Sequence, residues 1–255
     1  ALDYMTDKVC LLYGEPGAYG NVTLPMTTCE GLNCFLDGYI AYSNTRFRPY
    51  SLDFKFSKED RLGIKDTRGL NYPEFSVSYP SFALTASAGS IAPGSVTVLL
   101  GHNGAGKTTF IRTLAGQIAI HGTYLELGIS IAYKEQNVYM NLPQLVSHYL
   151  LEKTEGSILD ANFRHEVIEP LNVEHLMDRE LFTLSGGEMQ KIAIIATLGQ
   201  NRDLYLIDEP SCYLDIESVL IVAKMLKRFA INNHKYMFVV EHPAILIRIA
   251  RTIFS

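Results

Sequence analysis

The octet Gly101-His102-Asn103-Gly104-Ala105-Gly106-Lys107-Thr108 stands between an apolar run, Val96–Leu100, and a segment carrying Phe110, Ile111 and Leu114. It fits G-x-x-x-x-G-K-[ST], a pattern that requires a buried strand before it and a helix after it. Both flanks are present, and Gly116 closes the helix at its C-terminal cap. Glycines let the backbone curl so that successive N–H groups converge on an anion at the positive end of the helix. The expected ligand is ATP with Mg²⁺. Gly101, Asn103, Gly104, Ala105 and Gly106 would cradle its phosphates through the main chain. Lys107 would neutralise the β- and γ-phosphates, and Thr108, with Thr109 beside it, would lie at the phosphates and help hold the ion.

A second apolar run, Leu204-Tyr205-Leu206-Ile207, ends in Asp208-Glu209-Pro210. Strands often end in acidic turn residues, but a carboxylate pair about a hundred residues after such a loop has a chemical use. Asp208, at the strand end, suits the Mg²⁺ shell. Glu209 would then face the γ-phosphate side as the base that orients and deprotonates a water.

Leu184-Ser185-Gly186-Gly187-Glu188-Met189-Gln190 has the form of a capping box, with Ser185 at the N-cap and Glu188 three residues on. The same residues make a second anion site, from a hydroxyl and two glycine N–H groups at a helix start. One γ-phosphate has no evident need of two such sites in one domain. An economical arrangement presents Ser185, Gly186 and Gly187 to nucleotide held by another cassette.

Leu184–Gln190 resembles the signature sequence of ATP-binding-cassette proteins, and further family stations follow in order. Gln136 in Tyr-Lys-Glu-Gln is similar to the Q-loop that senses Mg²⁺ and the γ-phosphate. Ser211-Cys212-Tyr213-Leu214-Asp215 is similar to the D-loop, and His242 in Val-Val-Glu-His to the switch histidine. The resemblance implies an α/β fold: a P-loop NTPase of the ATP-binding-cassette type, with antiparallel β and helical subdomains, the helical one at about 140–200. For adenine stacking Tyr72 is the candidate, with Tyr79 and Phe82 as rivals, since an upstream aromatic is more often core.

Within that family, Asp208-Glu209-Pro210-Ser211-Cys212-Tyr213-Leu214-Asp215 is similar to the D-E-P-S-x-Y-L-D form of subfamily E, whose members recycle ribosomes. Tyr133–Gln136 resembles its second Q-loop. Glu30–Asn33, Phe35–Tyr39 and Arg46-Phe47-Arg48 resemble its hinge, and Leu2-Asp3-Tyr4 and Leu12-Tyr13-Gly14 the end of its first cassette. The likeness implies three segments: 1–28 ending a preceding cassette, 29–50 as hinge, and 51–255 as a second cassette. It also implies partners, namely the first cassette of the same protein, the small ribosomal subunit with its rRNA, and release-factor-like proteins. Iron–sulfur clusters are expected only upstream of Ala1. Pro243 departs from the family, in which an acidic residue follows the histidine. Arg46 and Arg48 are either rRNA phosphate contacts or a solvated loop.

Composition bounds the alternatives. A net charge of −5 argues against coating nucleic acid by bulk positive charge. Cys10, Cys29, Cys34 and Cys212 lack C-x-x-C spacing and read as unpaired thiols of a reducing compartment. With no long apolar span or signal peptide, the expectation is a cytoplasmic protein without a membrane partner, cut from a longer chain. A transporter cassette, or a nucleotide-gated clamp with little hydrolysis, is the competing reading. Val9–Tyr13 reads as an orphan strand ended by Gly14-Glu15-Pro16-Gly17, and Ser51–Phe56 as a half-buried strand followed by a charged loop over 57–71.

Overall fold

The computed structural model describes residues 8–15, 19–51, 69–101, 104–136 and 143–241, which fall into two compact units. Expectations for Leu2–Tyr4, for 52–68, for His102 and Asn103, and for His242 and Pro243 lie outside the described residues.

The first unit holds 8–51 of these residues. Strands β1 (Lys8–Val9) and β4 (Met26–Thr27) pair antiparallel, as do β2 (Leu12–Glu15) and β3 (Tyr19–Val22). The run Val9–Tyr13, expected as one orphan strand, is divided between β1 and β2; β2 continues to Glu15, and both have antiparallel partners. Helix α1 (Thr28–Asp37) follows, at the start of the segment expected as hinge. The Thr27 hydroxyl caps its start by accepting from Glu30 N–H, and Gly38 ends it at φ 65°. Only glycine fits there, because a Cβ would lie 2.7 Å from that of Arg48. A two-residue hairpin, β5 (Tyr39–Ile40) with β6 (Thr45–Arg46), completes the unit.

Arg48 overturns the solvated-loop reading and the phosphate-contact reading alike. It is 5% exposed, and its guanidinium donates to the Leu36, Phe35 and Tyr50 carbonyls. Two of these are orphan acceptors at the end of α1, where a cation also meets the negative end of the helix dipole. Arg46 stays exposed, over the ring of Tyr39.

In the second unit, β11 (Ser95–Leu100), β14 (Ile131–Lys134), β15 (Leu204–Asp208) and β16 (Tyr236–Glu241) form a parallel sheet in the order β11-β16-β15-β14. Both faces are covered. Leu204, Leu206, Phe238 and Val240 point into one core, and Tyr205, Ile207, Met237 and Val239 into the other. That alternation explains why these runs are apolar throughout. Helix α2 (Lys107–Leu114) packs in the first core, beside two antiparallel pairs: β7 (Leu70–Tyr72) with β10 (Gly89–Ile91), and β8 (Phe75–Tyr79) with β9 (Phe82–Ala86). A short hairpin, β12 (Ala119–Ile120) with β13 (Thr123–Tyr124), precedes β14.

Between β14 and β15 the described chain is mainly helical: α3 (Val146–Lys153), α4 (Ala161–Phe163), a π-helical turn (Arg164–Ile168), α5 (Glu169–Leu171) and α6 (Gly186–Leu198). Helix α7 (Ile216–Asn232), capped by Asp215, crosses back to β16. Among the described residues no helix is long and apolar enough to cross a membrane.

Candidate functional site

All four parallel strands deliver their C-terminal ends to one edge of the sheet, where open α/β sheets bind ligands. After β11 the chain curls through Gly104 at φ 78° and Gly106 at φ 94° into α2. Helix α2 has no side-chain cap and no acid in its first turn, so the positive end of its dipole faces the loop without a carboxylate of its own helix. Lys107, 9% exposed, donates from Nζ to Gly101 O at 2.8 Å. A cleft of about 290 Å³ opens here, lined by Gly104, Gly106, Lys107, Thr108 and Thr109, with Gln136, Glu209 and Phe82 opposite. Ala105 is exposed beside it.

The paired carboxylates have contrasting surroundings. Asp208 is fully buried, and neither of its oxygens meets a donor in good geometry among the described residues. Burial pushes its carboxyl up, as does Glu209; the nearby Thr108 hydroxyl, Lys134 and Lys107 pull it down, and the balance is upward. An orphaned buried carboxylate beside a hydroxyl fits a hard divalent cation, which would satisfy both. No cluster of three acidic, Cys or His side chains stands ready among the described residues, so phosphates and water would complete the ion's shell.

Glu209, by contrast, is tied on every side. Its Oε2 accepts from Gln136 Nε2 at 2.8 Å and from Cys212 Sγ at 3.3 Å. Its N–H donates to Val240 O at 3.0 Å, and its carbonyl accepts from Gln190 Nε2 at 2.8 Å. The residue sits at φ 45°, a left-handed conformation that costs an L residue about 1–3 kcal/mol and marks functional sites. Burial, followed by the hydrogen bond to Glu209, pushes the Cys212 thiol up to about 11.

Sequence reading gave no role to three residues that hold this edge together. Lys134, 2% exposed, donates to the Glu135 and Asp208 carbonyls, and burial lowers its amine to about 8 against the pull of Asp208. Its signal was parity: it shares the inward face of β14 with Ala132. Gln190 was likewise a polar residue at an inward helix position. Glu241 accepts from both Ser211 N–H, at 3.1 Å, and Ser211 Oγ, at 2.8 Å, across 30 residues that no local pattern bridges.

The start of α6 forms the expected capping box. Glu188 N–H donates to Ser185 Oγ, and Ser185 N–H donates to Glu188 Oε2 at 2.7 Å. Burial acts to raise the Glu188 carboxyl, but Ser185 and Arg179 outweigh it and leave it below the usual range. Ser185 and Gly186 are exposed, and Gly186 and Gly187 are small because Tyr213 lies against them; a Cβ on Gly187 would sit 3.0 Å from its carbonyl.

Tyr72, the adenine-stacking candidate, is not among the residues that line the cleft. Its ring packs edge-on to Phe110 and Phe238. The aromatic that lines the cleft is Phe82, with Tyr79 stacked on it at 6.5 Å. A Cβ on Gly106 would come within 2.7 Å of the Phe82 ring.

A family profile described as ABC transporter matches residues 84–212. Translation initiation factor RLI1 of Saccharomyces cerevisiae is 38% identical over 247 residues, covering 96% of this chain and 41% of that protein. A solved complex of archaeal ribosomal stalk protein aP1 and archaeal ribosome recycling factor aABCE1 superposes with a TM-score of 0.83 at 36% identity, over 99% of this chain and 48% of the other. A structure described as a model of ribosome-bound archaeal Pelota and ABCE1 gives 0.86 at 40% identity, over 96% and 41%. The chain thus spans two fifths to one half of the length of these proteins.

Proposed function

The chain belongs to the ATP-binding-cassette family, in its E branch, and from that premise we propose that it is the second cassette and hinge of a twin-cassette ATPase that separates ribosomal subunits. The observation that carries the reading is the cleft in which Lys107, Thr108, Gln136 and Glu209 converge at the strand ends, with Asp208 orphaned beneath. We assign 1–28 to the end of the first cassette, 29–50 to the hinge and 51–255 to the second.

In this reading the open start of α2 takes the phosphates, with Gly101 and Asn103–Gly106 supplying N–H groups and Lys107 exchanging the Gly101 carbonyl for a phosphate oxygen. Phe82, rather than Tyr72, offers the ring for adenine. Thr108, Asp208 and Gln136 would hold Mg²⁺, which neutralises charge on the transferring phosphoryl group. Gln136 already donates to Glu209 through its amide nitrogen, leaving its amide oxygen for the ion. Glu209 accepts the proton of the attacking water, and His242 senses the γ-phosphate. Ser185–Gly187 serve the nucleotide of the first cassette, so closure needs both nucleotides, and that closure drives the subunits apart. The small subunit with its rRNA and release-factor-like proteins are the partners, in the cytoplasm. The relatives' descriptions support this reading: one is called a ribosome recycling factor, another is ribosome-bound with Pelota.

Glu209→Gln in the intact protein tests this directly. Turnover should fall by about 10²–10⁴ while ATP still binds and the protein stays on small subunits in co-sedimentation. Undiminished hydrolysis would remove Glu209 from the role of base.

A further inference from the structure

Helix α6 is buried almost all round, and its two buried polar side chains behave differently. Thr197 turns back on its own helix, donating to Ala193 O at 2.8 Å. Gln190, 2% exposed, reaches off the helix to Glu209 O at 2.8 Å. Packing alone would favour Leu or Met there, since a buried carboxamide is unfavourable unless bonded.

The acceptor is a strained peptide. Glu209 is left-handed, precedes Pro210, and is held on its N–H side by Val240 O. Gln190 supplies the opposing restraint. It lies four residues past Gly186, about 6 Å along the helix at ~1.5 Å per residue, so any shift of the α6 start reaches Glu209 through one turn of helix and one hydrogen bond.

We propose that Gln190 is a positioning residue that couples the Ser185–Gly187 helix start to the Glu209 carboxylate. The inference rests on the reading that this helix start serves the nucleotide of another cassette. Docking there seats α6, α6 seats Gln190, and Gln190 holds the Glu209 peptide so that its side chain faces the cleft. Hydrolysis in this cassette thereby depends on nucleotide held in the other. Gln190 touches no reacting atom.

The test is turnover at this cassette in the intact protein. Gln190→Met keeps the length and loses the donor; kcat falls about tenfold while KM for ATP stays within about twofold. Gln190→Glu regains a donor only when its buried carboxyl is protonated, so its kcat relative to wild type climbs several-fold from about pH 8 to about pH 6, whereas the Met ratio stays flat. Should the Met variant fail to fold, the pH trend of Gln190→Glu decides alone. Wild-type kcat in Gln190→Met, equal losses in kcat and ATP binding, or a flat Gln190→Glu ratio would overturn the proposal. Combining each with Ser185→Arg, which blocks the helix start, separates the two layers. If Ser185→Arg alone leaves turnover unchanged at both cassettes, the cross-cassette reading fails; if it slows the other cassette and not this one, the coupling inference fails. If it slows turnover but the losses multiply with Gln190→Met, the coupling inference alone fails; a combined loss no larger than either supports it.

Discussion

Helices α2 and α6 both begin at glycine-bearing turns, yet their starts are satisfied in opposite ways. At α2 the N-cap is Gly106, left-handed, with no side-chain cap and no first-turn acid. At α6 the N-cap is Ser185, extended, with its hydroxyl on Glu188 N–H and Glu188 returning the bond. One start leaves the positive end of its dipole for a ligand; the other has a carboxylate of its own, which Arg179 also engages at 3.0 Å. The glycines differ as well. Gly106 is demanded by backbone angle and by the Phe82 ring, Gly186 and Gly187 by the approach of Tyr213. The first turn of α2 carries no acid of its own, whereas at α6 an anion must share the site with Glu188. That asymmetry suits a resident nucleotide at the first and contact on closure at the second.

The largest effect that would break this comparison is at Lys107. Charge-assisted bonds to phosphate contribute about 1.5–3 kcal/mol each, so Lys107→Ala should weaken ATP binding about a hundredfold by calorimetric titration. Loss below about threefold would mean that the open start of α2 is not the phosphate site. Gly106→Ala comes next. Its left-handed φ and the 2.7 Å approach to Phe82 together should cost about 1–3 kcal/mol of stability, read as a lower denaturant midpoint. ATP affinity should drop with it, since the displaced ring is the one that lines the cleft.

How much of this was legible beforehand depends on whether the physics was local. The loop at Gly101–Thr108, the strand ending in Asp208-Glu209 and the box at Ser185–Glu188 are contiguous, and their apolar flanks announce strand or helix. Arg48 was illegible because the carbonyls it neutralises, at Phe35 and Leu36, come near only once α1 has formed and the chain has turned at Gly38. Tyr72 and Phe82 are equally aromatic and both precede the loop. Only the β8–β9 register, which sets Tyr79 opposite Phe82, and the packing of Tyr72 on Phe110 decide which ring faces the cleft. Lys134, Gln190 and the Ser211–Glu241 pair needed the strand order of the sheet. Their partners lie 74, 19 and 30 residues away, beyond the reach of any periodicity.

The smallest effect sharpens the contrast most. Ser185→Ala removes the hydroxyl that accepts from Glu188 N–H, and loss of a cap costs about 1 kcal/mol. In a unit of this size that lowers Tm by roughly 2–4 °C in calorimetry. The chain's own ATP affinity, set at the start of α2, should stay within about twofold. The two readouts must therefore part company: a modest melting shift with intact binding at Ser185, and weak binding at Lys107. If Ser185→Ala instead lowered affinity for resident ATP as far as Lys107→Ala does, both helix starts would be gripping the same nucleotide. The division of labour between them would then be wrong.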